Sequence, residues 1–164
     1  MEKTLLDKIE HLLGEGKTKD QVWRNLKETE NQEELVFLLN DLPTLKNRRA
    51  FLLLNLPLCA LLVIMTGMKL FAAVAIGQIN YLFFLAMVVP MINVYLLKKI
   101  LRFRRTGFLY LFVLSFLSLF QPENHRLLEV VLLGVILFLS GFLYLKMFPK
   151  KERLKSPEKA PTNG

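Results

Sequence analysis

Residues 50–97 read AFLLLNLPLCALLVIMTGMKLFAAVAIGQINYLFFLAMVVPMINVYLL and contain one formal charge, Lys69. A transmembrane helix needs about 20 predominantly apolar residues, so this block is long enough for two helices and a tight turn. The turn is predicted at residues 66–69, which read TGMK. Basic residues flank the block at 46–49 and 98–99. The stretch therefore predicts a hairpin of two membrane helices.

Two further apolar blocks, at residues 106–120 and 127–145, repeat this pattern. We therefore predict an all-α integral membrane protein with four transmembrane helices in two hairpins, at about 50–66, 70–97, 106–120 and 127–146. The third block is short, because fifteen residues rise only about 22 Å. We expect it to span nevertheless, with its flanking arginines reaching back to the interface.

Lysine and arginine are concentrated in alternate connections between these helices. Thirteen of them lie at residues 46–49, 98–105 and 146–155, which adjoin the start of the first helix, the connection between the second and third, and the end of the fourth, whereas only Lys69 and Arg126 lie in the other two connections. This asymmetry predicts that both termini are cytoplasmic. The richest connection forms a basic cluster that sets topology and suits anionic lipids, and it consists of Lys98, Lys99, Arg102, Arg104 and Arg105.

Residues 1–45 predict a cytoplasmic head of three short amphipathic helices. Thr18 and Gln21 have the spacing of a capping box, and Asn31 and Glu34 repeat it. A segment of this size is at the lower limit for folding alone. We therefore expect it to be supported by a partner, by the membrane surface or by a second copy.

The second helix of the head offers one candidate docking site. Its apolar residues are Val22, Trp23 and Leu26, and tryptophan is enriched among the residues that dominate binding energy at protein interfaces. The alternative is that Trp23 is the central packing residue of a small core. The head is then a tether that stabilises the assembly.

Polar residues inside the apolar blocks are the second set of candidates, because such residues are expensive in a membrane and are often functional. They are Asn55, Asn80 and Asn93, together with Glu129, the one carboxylate within an apolar run. Two interpretations remain open. The amides either bond across helix–helix contacts, or they line a pathway for an ion or small solute.

Several classes of function are disfavoured by the sequence. Residues 1–45 have a net charge of −4 and residues 46–164 one of +12, so the soluble part would be repelled by nucleic acid. No HExxH, GxSxG, P-loop or GxGxxG motif is present, and we expect no enzyme activity, metal or cofactor. The single cysteine, Cys59, excludes an intramolecular disulfide.

Together these observations predict a head at 1–45, a membrane domain at 46–149 and a disordered basic tail at 150–164. The expected function is that of a non-catalytic accessory, scaffold or regulatory subunit in a bacterial inner membrane. The expected partners are lipids and another protein or further copies of the chain. One alternative is a small homo-oligomeric channel or transporter lined by the asparagines between copies, and another is a hairpin protein that shapes the membrane.

Overall fold

The computed structural model describes residues 4–75, 81–121 and 127–154, and the regular elements in them are all helical, as predicted. A 3₁₀ turn, Lys150–Glu152, follows the last α-helix. The α-helices are α1 Leu5–Gly14, α2 Lys19–Leu26, α3 Gln32–Asp41, α4 Leu45–Val74, α5 Tyr81–Leu101, α6 Arg105–Ser118 and α7 Leu127–Met147.

The three helices of the head (α1 to α3) begin at side chains that cap them. The predicted capping box is confirmed: Thr18 accepts from the Gln21 backbone N–H, and the Gln21 side chain accepts from the Thr18 backbone N–H. Asn31 Oδ1 accepts from the backbone of Glu33 and Glu34 at the start of α3. Each side chain satisfies amides that have no partner within the helix.

The head has an apolar core of its own, to which all three helices contribute. Leu154, which follows the last membrane helix, also packs against this core. The buried members are Ile9, Leu13, Val22, Leu35, Leu38, Leu39 and Leu42.

The turn predicted at residues 66–69 was wrong, because α4 continues through these residues to Val74. Thr66 donates its hydroxyl hydrogen to the Leu62 carbonyl at 2.6 Å, one turn back along the helix. Gly67 costs an α-helix only about 1 kcal/mol, and Lys69 forms an ion pair with Glu129 of α7. Local turn signals are therefore overridden by a long-range contact.

Helices α4 to α7 form an antiparallel ring in which each packs against the next and α7 closes on α4. α4, α7 and residues 83–101 of α5 are long and apolar enough to cross a membrane. With 14 residues, α6 is shorter than these three spans. We call the end of the bundle that carries the head the head end, and the opposite end, near Val74 and Leu127, the far end.

The corner between α5 and α6 is tightly built. Phe103 has a φ of 55°, which is rare for a residue other than glycine, and it is buried with the Arg48 guanidinium 5.0 Å from its ring centroid. A Cβ on Gly107 would lie 2.8 Å from the Lys99 Cβ. Only glycine therefore allows α6 to approach the end of α5 this closely.

Candidate functional site

Asp41, the last residue of α3, joins the head to the bundle formed by α4 to α7. Its carboxylate is buried and accepts from Arg104 Nε at 2.7 Å, from the Thr106 backbone N–H at 2.8 Å and from the Thr106 hydroxyl at 3.3 Å. The acceptor lies at the start of α6, where a helix favours negative charge. One head carboxylate therefore caps a bundle helix and neutralises a half-buried arginine.

Two asparagines strengthen the same junction. Asn40 donates to the Leu154 carbonyl and accepts from the Leu154 backbone N–H, each at 2.9 Å. Asn47 Nδ2 donates to the Met147 carbonyl at 3.1 Å and to Glu152 Oε2 at 3.2 Å. The segment after α7 is thus fastened both to the head and to the first turn of α4.

The predicted docking residues lie inside the head and not on a free surface. Val22 is fully buried, and Trp23 and Leu26 are half-buried against the head core. Within the described part of residues 1–45, the exposed large apolar side chain is Phe37, at 58% exposure. Phe37 lies within the continuous apolar run from Leu35 to Leu39, so no sequence pattern indicated which of these side chains faces outward.

Most of the predicted basic cluster is engaged within the protein. Arg104 bonds to Asp41 as described above, and Arg102 lies 3.8 Å from Asp7 of α1. Arg105 donates to the Tyr144 hydroxyl at 2.9 Å. Lys99 Nζ lies 4.7 Å from the ring centroid of Tyr95 and 5.2 Å from that of Tyr110, and Lys98 is exposed.

The three predicted intramembrane asparagines are not gathered into one site. Asn55 is buried near the head end and donates to the Ile100 carbonyl at 3.2 Å, which is a helix–helix contact between α4 and α5. Asn93 lines a cavity nearer the middle of the bundle, and no side-chain hydrogen bond joins it to another described residue. Asn80 lies outside the described residues.

Glu129, the fourth predicted intramembrane residue, is buried and accepts from Lys69 Nζ at 2.8 Å. The sequence reasoning missed this pair because it placed Lys69 in a turn. A usable signal was available, since Lys69 and Glu129 are the lone charges of two apolar blocks and have opposite signs. Pairing reduces the cost of burying both charges near the far end.

A cavity of about 600 Å³ lies between the four bundle helices. Its walls are mainly apolar, with Asn93 and Ser115 among the polar residues and Lys69 on the α4 side. Most of the lining residues belong to the half of each helix nearer the far end, and Asn93 lies close to the middle of α5. Beyond them, the head end is filled by buried side chains that include Leu58, Leu96, Ile100, Phe108, Leu143 and Met147. The cavity is therefore blind at the head end.

Lys19, at the start of α2, is a buried cation in the head. Burial lowers the pKa of its ammonium from 10.5 to about 8, a shift that Glu152 opposes and the positive charges of Arg105 and Arg153 reinforce. The side chain thus lies where head, bundle and the segment after α7 meet. The sequence reasoning missed it because lysine is seldom buried.

No group of His, Cys, Asp and Glu side chains within residues 4–75, 81–121 and 127–154 could hold a metal ion. The arrangement instead offers a head fixed to a helical bundle, a blind cavity and one buried ion pair. Comparisons of the chain with known protein families, with curated proteins and with solved structures find no match.

Proposed function

We propose that this chain is a non-catalytic integral membrane protein that acts as an accessory or regulatory subunit, with the head as its docking module. The observation that carries the proposal is the buried Asp41 carboxylate, which ties α3 to the first turn of α6. Because head and bundle share this bond, a protein bound to the head would be held in a fixed relation to the membrane helices.

We further propose that Phe37 is the docking anchor. It presents an aromatic ring on α3, outside the long apolar helices and at 58% exposure. Aromatic side chains, phenylalanine among them, are enriched in the buried cores of protein interfaces. Val22, by contrast, has no exposed surface to offer.

For location, we propose that the head end is cytoplasmic and that the membrane is a bacterial inner membrane with four spans. The excess of lysine and arginine near the head end supports this orientation. The antiparallel ring also supports it, because it returns the chain to the head end after α7.

The test is purification of the full-length protein from its own membrane in mild detergent, with the mass of each complex measured. Phe37→Ser is the test variant, and Arg24→Ser, an exposed position on α2, is the control. We expect a heteromeric complex with the natural chain and with the control, and its loss with Phe37→Ser. A homo-oligomer of unchanged mass in all three samples would contradict the docking proposal.

The cavity favours a second candidate, a small transporter. Asn93 contributes an amide to an otherwise mainly apolar wall, and an amide at this depth needs water or a polar ligand to satisfy it. The closed head end argues against a permanently open pore within one copy. Reconstituted vesicles that carry the natural chain or Asn93→Leu should differ in the flux of protons, K⁺ or glycerol. Equal flux would remove Asn93 from any pathway.

A further inference from the structure

Three cations at the junction of head and bundle lie within electrostatic range of one another, and none of them forms an ion pair with a carboxylate of the described residues. They are Lys19 of α2, Arg105 of α6 and Arg153 after the 3₁₀ turn, and we call them the junction cations. The ion pairs of the described residues use other cations. Arg105 donates to the Tyr144 hydroxyl at 2.9 Å, and Arg153 interacts with the same hydroxyl.

The nearby negative charge does not balance the junction cations. Asp41 is within electrostatic range of Lys19 but is already bonded to Arg104. Glu152 is exposed and accepts from Asn47. Three positive charges therefore lie near one another with only the Glu152 carboxylate left to balance them. Such an excess of like charge costs free energy where water is largely excluded.

Donors without acceptors are a second, independent sign of a missing anion. Lys19 is only 6% exposed as a residue, and its ammonium, which keeps some contact with solvent, forms no ion pair or side-chain hydrogen bond with another described residue. The Nε atoms of Arg105 and Arg153 are also buried without a hydrogen-bond partner in the described chain. Buried donors of charged groups are expensive to leave unsatisfied.

The position of the junction cations identifies the kind of anion. Arg105 is the first residue of α6, and Tyr144 lies within the last turn of α7. These are the ends of the apolar segments, where the phosphates of a bilayer lie. Guanidinium groups bind phosphate in the fixed geometry that their fork of donors provides.

We propose that the junction cations form a binding site for a phosphate group, supplied by the headgroup of an anionic membrane lipid. The phosphate accepts from Lys19 and from both arginines, and it offsets the repulsion among them. The lipid then couples the head, α6 and the segment after α7. This site is independent of any protein that docks at Phe37.

The test uses the full-length protein in uncharged detergent, titrated with dihexanoyl phosphatidylglycerol. The thermal unfolding midpoint is followed by the fluorescence of Trp23, the single tryptophan. Parallel titrations use dihexanoyl phosphatidylcholine and inorganic phosphate. We expect phosphatidylglycerol alone to raise the midpoint. A rise with inorganic phosphate alone would overturn the lipid as the source, and no rise with any of the three would overturn the site.

The variants are Arg153→Gln and Lys19→Met, with Lys151→Gln as a control that removes one exposed charge two residues from Arg153. Each test variant should weaken the apparent affinity at least about tenfold, since one charged donor is lost. The control should change it little. Lys19→Met removes a buried charge and should fold at least as well as the natural chain. Equal weakening in all three variants would overturn the site in favour of general charge attraction.

Discussion

The bond between Asp41 and α6 can be tested by one substitution, Asp41→Asn, which keeps the shape of the side chain and removes its charge. The natural carboxylate accepts three hydrogen bonds, from Arg104 and from two groups of Thr106. The asparagine side chain keeps one oxygen that can accept. Its NH₂ group replaces the other oxygen and then faces an N–H group of Arg104 or Thr106, which can only donate. Hydrogen bonds to charged groups contribute about 1.5–3 kcal/mol each, and breaking a buried pair costs about 3–5 kcal/mol.

Because Arg104 retains some exposure, we expect a loss near the lower end of this range, about 3 kcal/mol. Urea unfolding of the head, followed by Trp23 fluorescence in mild detergent, measures it. With a slope of about 1–3 kcal/mol per molar urea, the midpoint should fall by at least about 1 M.

The matched control is Asp20→Asn, the same substitution at an exposed position of α2. For Asp20→Asn we expect the free energy of unfolding to fall by at most about 1 kcal/mol, because an exposed charge interacts only weakly with the start of a helix. Arg104→Met should also cost about 3–5 kcal/mol, because it leaves the buried Asp41 carboxylate without its cation and with only the two bonds from Thr106. If Asp41→Asn moves the midpoint no further than Asp20→Asn, this carboxylate does not hold the head to the bundle.

Three further predictions follow from individual contacts. Lys69→Met leaves Glu129 buried and unpaired and should lower the free energy of unfolding by about 3–5 kcal/mol. The double variant Lys69→Met with Glu129→Leu should recover most of that loss. If the losses of the two single variants simply add in thermal unfolding, the pairing is refuted. Gly107→Ala should destabilise by about 1–3 kcal/mol through overpacking, because the new Cβ lies 2.8 Å from Lys99. Gly134→Ala, with nothing within 4 Å of its Cβ, is the control and should be neutral or stabilising in the same assay. Lys19→Met should stabilise the head at neutral pH in the absence of anionic lipid. The stability of the natural chain should rise between about pH 8 and 10.5, and that rise should be absent in Lys19→Met.

The sign of the Lys19 effect follows from its lowered pKa. The folded state holds the Lys19 proton less tightly than the unfolded state, so between pH 8 and 10.5 the unfolded state binds more protons and stability increases with pH. Below pH 8 Lys19 is charged in both states, and burial of its charge then lowers the free energy of unfolding by the full amount, about 3 kcal/mol. The groups that face Lys19 are Glu152, Asp41, Arg105 and Arg153, and the comparison with Lys19→Met cancels their own titration. Parallel pH curves for the two proteins would contradict the assignment.

The parts of the fold that depend on neighbouring residues were predictable from the sequence. The capping of α2 by Thr18 and Gln21 involves residues three apart, and its spacing predicted its geometry. The end of α4 was not predictable in this way. Thr66 and Gly67 indicate a turn locally, but Lys69 pairs with Glu129, sixty residues away in the chain, and no local pattern records that contact.

The same distinction applies to the candidate sites. Asn55 was singled out and does bond across a helix contact, whereas Asp41 was overlooked because its role depends on where α6 begins. Val22 and Phe37 are both apolar residues of short amphipathic helices, and only the packing of three helices decides which of them is buried. Lys19 is likewise close to charges of α6 and of the segment after α7, which lie far from it in the sequence.

That return has a consequence for the order of biosynthesis. Leu154 packs against the head core and exchanges two hydrogen bonds with Asn40, yet it is made 114 residues later. At about 5–20 residues per second, the ribosome needs about 6–23 s to cover that distance. During this time helices α4 to α7 are synthesised while the head lacks one of its contacts. Completion of the head thus marks the moment at which the whole helical bundle has been synthesised.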